Sequence, residues 1–234
     1  MIRDITGRFK QRPHYTHQEL DSESENLVTE FLVKRHGAAT FPVSTDELTL
    51  LVEKHVDDLD LYSDLGKLGS DVEGVTVFSR EGKPSVRIST ALCESKRENR
   101  LRTTLCHELG HVIFHNRLFQ RSTESQLFDD EDFVADPVQA CRESNILNAG
   151  QADWMEWQAG HVSGAVLMPA TRLRALIAAR FPKYVGGELT ISAPLVESMI
   201  EEVKIAFSVS AEAARIRLYR LQIVKDSGLS ATLF

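Results

Sequence analysis

The stretch "TTLCHELGHVIFH", Thr103 to His115, sets three histidines and a glutamate inside an apolar run. An α-helix turns once in about 3.6 residues, so His107 and His111 fall on one face and Glu108 lies beside the first of them. Two imidazoles so placed can share a divalent metal ion, and the carboxylate between them is near enough to take a proton from water on that ion. The bland alternative is a helix whose histidines make ordinary hydrogen bonds. An unpaired polar trio in an apolar helix interior would be costly, which favours the metal. Gly110 points the same way, because glycine within a helix costs about 1 kcal/mol relative to alanine and marks a close approach by another element.

A catalytic zinc site takes three protein ligands and leaves a position open, so a third ligand must come from elsewhere. His115 continues the same helix, but a rigid helix does not easily turn ligands at successive four-residue spacings onto one tetrahedral ion, so it is expected to support the site. Asp129, Asp130, Glu131, Asp132 and Asp136 form a charge run of the kind that usually makes a solvated face. Glu156 interrupts an apolar helix between Trp154 and Trp157, where a buried carboxylate needs a strong partner. A metal and a buried arginine both meet that need, and the residues alone leave the two open. His161 is a residue to test as a donor to a developing oxyanion, against the plainer reading of a surface histidine.

These side chains need elements to hold them. The opening is polar and aperiodic, so a loose arm is expected to about Asp21. Leu27, Phe31 and Leu32 then recur at helical spacing, with Gly37 just past the end. Ser44 and Glu47 form a capping box ahead of Leu48 and Leu51, which predicts a second helix. Val75 and Val77, then Val86 and Ile88, alternate with polar residues about the turn-rich "REGKP", the pattern of a β-hairpin. Leu101, Leu105, Leu109, Val112 and Ile113 restore the helical period around the histidines. From Phe119 to Gly150 the chain is acidic, aperiodic and interrupted by Pro137, and a long loop is expected there. Apolar helical segments follow up to Pro169 and again from Ala170, with Pro169 near the first turn of the latter. The tail reads as two helices broken near Ser208 to Ser210, with Ser210 as a cap and Arg215, Arg217 and Arg220 on the second.

Composition limits the remaining choices. The chain has 234 residues, 42% hydrophobic and 26% charged, which is ordinary for a globular protein. Its net charge of −7 argues against non-specific coating of nucleic acid. No signal-peptide core opens it and no stretch is long and apolar enough for a bilayer, so a cytoplasmic protein without a membrane partner is expected. Cys93, Cys106 and Cys141 are scattered and odd in number, which favours buried thiols over a disulfide framework.

With "RLRTTLCHELGHVIFH" at Arg100 to His115 and "EWQAGHVSGAVLMP" at Glu156 to Pro169, the chain resembles the ImmA/IrrE metallopeptidases over roughly Phe41 to Leu221. The second block resembles the family's glutamate-x-x-alanine helix ending in Leu-Met-Pro. The elements and the resemblance together give an expected α+β fold: a mainly helical zincin-like metallopeptidase domain at 22–185 with a small antiparallel β-sheet, interrupted by an acidic insertion at 119–150 that the family pattern lacks, and a C-terminal helical, helix-turn-helix-like subdomain at 186–234, after the arm at 1–21. The resemblance implies a gluzincin-type endopeptidase in which His107, His111 and Glu156 hold Zn²⁺ and Glu108 is the base; His115 and His161, by their positions alone, remain candidates for a supporting or substrate-contacting role. Mn²⁺ or another divalent ion also suits such a nitrogen and oxygen site. The implied substrate is a helix-turn-helix repressor, whose cleavage would release stress or mobile-element genes. The rival expectation is a catalytically silent DNA- or partner-binding regulator with a structural zinc, reaching nucleic acid through the C-terminal helices. This sequence departs from the family pattern in the 45-position interval from His111 to Glu156, and in Gly160 and Val162 where the family often has Asn or Asp and Phe.

Overall fold

A computed structural model describes residues 1–120, 138–142, 153–184 and 193–225. Its backbone divides into two compact units, each drawn from two separated stretches: Met1–His17 with Thr45–Ser163, and Gln18–Ser44 with Gly164–Phe234. Eight helices and two small sheets among the described residues make a mixed α+β protein.

The first unit opens with a short antiparallel hairpin, β1 (Ile2–Arg3) and β2 (Gln11–Arg12). Buried Asp4 organises the turn between them by accepting hydrogen bonds from the Thr6 hydroxyl and from the backbone N–H groups of Thr6 and Phe9. The segment expected to be a loose arm to Asp21 therefore has local order, and helix α1 (His17–His36) begins inside it. Gly37 ends α1 with φ +77° and an N–H donated to Val33 O, the left-handed stop its position suggested.

Helix α2 (Thr45–His55) starts directly after Ser44 and buries Leu48, Leu51 and Val52. The main sheet runs in the order β3 (Asp58–Ser63), β5 (Ser85–Ser89), β4 (Val72–Val77), β6 (Val138–Arg142). Strands β4 and β5 form the expected antiparallel pair. The sheet as a whole is mixed rather than antiparallel, because β3 runs parallel to β5. Strand β6 lies within the stretch expected to be a loop; it pairs antiparallel with β4, with Thr76 opposite Gln139 and Gly74 opposite Cys141. Successive strand side chains point to opposite faces. Val75, Val77, Val138 and Ala140 accordingly gather with Leu65 on one apolar face, leaving Gly74, Thr76, Gln139 and Cys141 for the other.

Short helix α3 (Thr90–Cys93) leads into α4 (Glu98–Phe114), which carries the histidine motif. Every residue of α4 from Arg102 to Val112 is buried, so the helix is enclosed on all sides. Helix α5 (Trp154–Leu167) crosses it closely: a Cβ on Gly110 would lie 2.9 Å from Ala159 Cα and 3.2 Å from Val162 Cβ. Ser163 Oγ ties the two helices by donating to Thr103 O at 2.9 Å.

In the second unit, α6 (Ala170–Arg180) follows Pro169 at its N-cap, and α7 (Pro194–Phe207) and α8 (Ala211–Arg220) are separated at Ser208–Ser210, where the sequence placed a break. Ser210 caps α8 by accepting from Ala213 N–H at 3.1 Å. Arg217 does not face solvent. Its side chain is 1% exposed, with Nη1 donating to Asp21 Oδ1 at 2.6 Å and Nε to Met168 O at 3.0 Å. Arg215 pairs with Glu197 at 2.8 Å. No single helix among the described residues is long and apolar enough to cross a membrane.

Candidate metal centre

Helices α4 and α5 bring His107, His111 and Glu156 together, each no more than 1% exposed. One ligand atom from each lies within 4.8 Å of the others. His107 Nε2 is 3.2 Å from Glu156 Oε2, His111 Nε2 is 3.0 Å from Glu156 Oε1, and the two imidazole nitrogens are 3.1 Å apart. Lone pairs of three buried groups meeting so closely repel unless a proton or a cation lies among them. The set of two nitrogens and one oxygen donor, with the spacing of a helical turn, fits a divalent metal. Electrostatics agrees. Burial alone would lower the His107 pKa, but the Glu156 carboxylate outweighs it and holds His107 above its ordinary value. Burial acts to raise Glu156, and the two imidazoles overcome this and hold its carboxyl far below the ordinary range.

Glu156 is held from its other side by a residue that sequence reasoning missed. Gln139 Nε2 donates to Glu156 Oε1 at 2.8 Å, and Arg8 of the N-terminal hairpin donates to Gln139 Oε1. The signal for Gln139 was weak: it sits in a five-residue strand whose polar alternate positions face the protein interior, so inside and outside look alike.

Glu108 lies against β4. Thr76 Oγ1 donates to its Oε2 at 2.6 Å, and Oε1 has no hydrogen-bond partner among the described residues. Burial lifts its carboxyl above the ordinary carboxylate range, against the pull of His111, His107 and Thr76. Gly74 makes room for this carboxylate, since a Cβ there would lie 2.5 Å from Glu108 Oε1. Gly74 and Thr76 were legible only as members of a strand.

His115 is buried beside the centre but is not part of the convergent trio. Its Nδ1 is 2.9 Å from His111 Nδ1 and its Nε2 is 2.9 Å from Gln158 Oε1. Burial and neighbouring His111 hold its pKa well below the ordinary histidine value, so it is neutral. His161 is 1% exposed rather than on the surface, with its ring centroid 5.1 Å from that of His17 and 5.9 Å from that of Trp157. The carboxylates Asp129, Asp130, Glu131, Asp132 and Asp136 lie outside the described residues.

The thiols follow the expectation for Cys106 and Cys141, which are buried, while Cys93 is half-buried. Cys141 was not marked as a site residue, yet it forms a second convergent group with His107 and Glu108, again within 4.8 Å. Burial pushes the Cys141 thiol well above its ordinary range, with Glu108 and Glu156 adding to the effect.

A family model for Peptidase_M78, described as an IrrE N-terminal-like domain, matches residues 87–219, more than half of the chain and both helices of the centre. No curated protein matches the chain.

Proposed function

The chain belongs to the Peptidase_M78 family, with an IrrE N-terminal-like domain, and from that premise we propose that it is a cytoplasmic zinc-dependent endopeptidase acting on a helix-turn-helix repressor. The observation that carries the peptidase reading is the convergence of His107, His111 and Glu156 on one buried point with Glu108 beside it. The repressor as substrate rests on the resemblance to ImmA/IrrE peptidases. Of the arginines on α8, Arg217 is buried and Arg215 is paired with Glu197, which weighs against a phosphate-binding face on that helix.

His107, His111 and Glu156 are the residues to hold zinc, a set of three protein ligands that leaves a position open. When bound, the ion supplies Lewis acidity, polarising a peptide carbonyl and acidifying water. Glu108 is the proton carrier. With Oε2 engaged by Thr76, Oε1 is the atom left to take a proton and return it to the leaving amine. Its upward pKa shift brings that proton affinity closer to neutral pH, where a general base works best. Gln139, itself held by Arg8, orients Glu156.

The test combines metal content with cleavage. Purified wild-type protein is expected to hold about one zinc per chain, lost in His111→Ala and Glu156→Ala. Glu108→Gln is expected to keep the zinc and lose cleavage of a helix-turn-helix repressor, followed by intact-mass spectrometry. Zinc retained in Glu156→Ala would place the third ligand elsewhere. Cleavage unchanged in Glu108→Gln would remove Glu108 as the base.

A further inference from the structure

His111 can ligate through Nε2 only if its proton is carried elsewhere, and its neighbour on the other side offers the place. A neutral imidazole has one N–H and one lone pair. His111 Nδ1 and His115 Nδ1 are 2.9 Å apart, a contact that requires a single proton between two nitrogens. If His115 supplied it, the His111 proton would sit on Nε2, the atom 3.0 Å from Glu156 Oε1, and no lone pair would remain there for a metal. The direction is decided at the far end of the chain. His115 Nε2 is 2.9 Å from Gln158 Oε1, and an amide oxygen only accepts, so the His115 proton belongs on Nε2. His115 Nδ1 is then a bare acceptor, His111 donates to it through Nδ1–H, and His111 Nε2 is left free.

We propose that Gln158 and His115 are positioning residues that fix the ligating tautomer of His111, with Gln158 Oε1 setting the direction of the hydrogen bonds. This rests on the reading of His107, His111 and Glu156 as a metal centre. His115 lies one turn beyond His111 on α4, and Gln158 comes from α5, the helix that also carries Glu156. Both are at most 3% exposed, so water does not compete for their hydrogen bonds. Groups that hold the second nitrogen of a metal-ligating histidine fix its ring and raise its basicity, and their loss costs about 10- to 100-fold in metal affinity. Glu156 would thus be joined on its own helix by a residue two positions on that prepares the opposite ligand.

The probe is zinc alone, its affinity measured by competition with a chromophoric chelator. Gln158→Leu, which keeps the bulk and removes the acceptor, is expected to weaken zinc about 10- to 100-fold. Gln158→Glu, which keeps an acceptor at the same reach, is expected to bind zinc at least as tightly as wild type. In the zinc-loaded wild type, long-range ¹H–¹⁵N spectra should show His115 protonated at Nε2. Equal affinity in Gln158→Leu, equal weakening in both variants, or His115 protonated at Nδ1 would overturn the proposal while leaving the metal centre intact. A wild type that binds no zinc would overturn both. Should Gln158→Leu not fold, the His115 tautomer in wild type decides alone.

Discussion

At the scale of single residues, the least conspicuous position beside the site makes the sharpest prediction. Gly74 has no chemistry of its own, yet an added Cβ would meet Glu108 Oε1 at 2.5 Å and Thr104 Cγ2 at 2.9 Å. The Glu108 carboxylate is the flexible end of a side chain, so it, rather than the backbone, must give way. Gly74→Ala should therefore swing Glu108 from its Thr76 bond while the sheet stays paired and His107, His111 and Glu156 stay in place. A catalytic group misplaced by about 1 Å can cost about 100-fold in rate. We expect a loss of that order in kcat with zinc content unchanged, measured on the same preparation. Full activity in Gly74→Ala would mean that Glu108 is free to move without consequence and is not the proton carrier. The same contact shows how a sequence conceals a site residue: glycine in a strand announces a close approach but not by what.

At the scale of elements, the approach of α4 to α5 holds the centre together, and Gly110 is where they meet. Two effects oppose one another in Gly110→Ala. Helix propensity favours alanine by about 1 kcal/mol. Overpacking an interior costs about 1–3 kcal/mol, and here the obstructing atom is Ala159 Cα, backbone that cannot rotate away, at 2.9 Å. The second effect wins, so the substitution should lower stability despite adding a better helix former, and should weaken zinc binding by separating His107 and His111 from Glu156. Chemical denaturation and chelator competition read the two consequences; a stabilised variant with normal zinc affinity would show that the helices do not clamp one another at this point. This contact was half legible. Gly110 stood out within a strong helical period, as did the histidines and Glu156, because helix periodicity and motif spacing are local. The partner, Ala159, was not readable, since nothing in one helix names the residue that crosses it. Strand β3 alternates Leu59 and Leu61 with polar residues but is half exposed, and β6 is five residues in an acidic stretch; both owe their structure to pairing with distant strands. The buried Arg217 shows the reverse error. Charge suggests an exposed face, whereas its place opposite Asp21 depends on a residue nearly the whole chain away.

At the scale of the whole molecule, proton and metal compete for one buried centre, which couples folding to pH. His107 has a raised pKa in the metal-free fold, so its contribution to stability is complete below the unfolded value of about 6.5 and is lost as pH rises through the folded value. Glu156 has a lowered pKa, so its contribution is present above the unfolded value of about 4.3 and is lost as pH falls towards the folded one. Between those limits the protonated imidazole and the carboxylate hold each other without a metal. Above them, Glu156 is still anionic while His107 has become neutral, and the centre is left with a buried negative charge that a cation must balance. Zinc binding displaces the proton, so it weakens as pH falls through the raised His107 value and strengthens as pH rises. The stabilisation conferred by zinc at fixed free concentration grows with its affinity. The difference in Tm between zinc-loaded and chelator-treated protein should therefore be larger at pH 8 than at pH 6, and His107→Ala should abolish most of that pH dependence together with the zinc. A zinc-induced shift in Tm that is constant across this range would show that no proton is exchanged for the metal, and the centre would then have to lie away from His107.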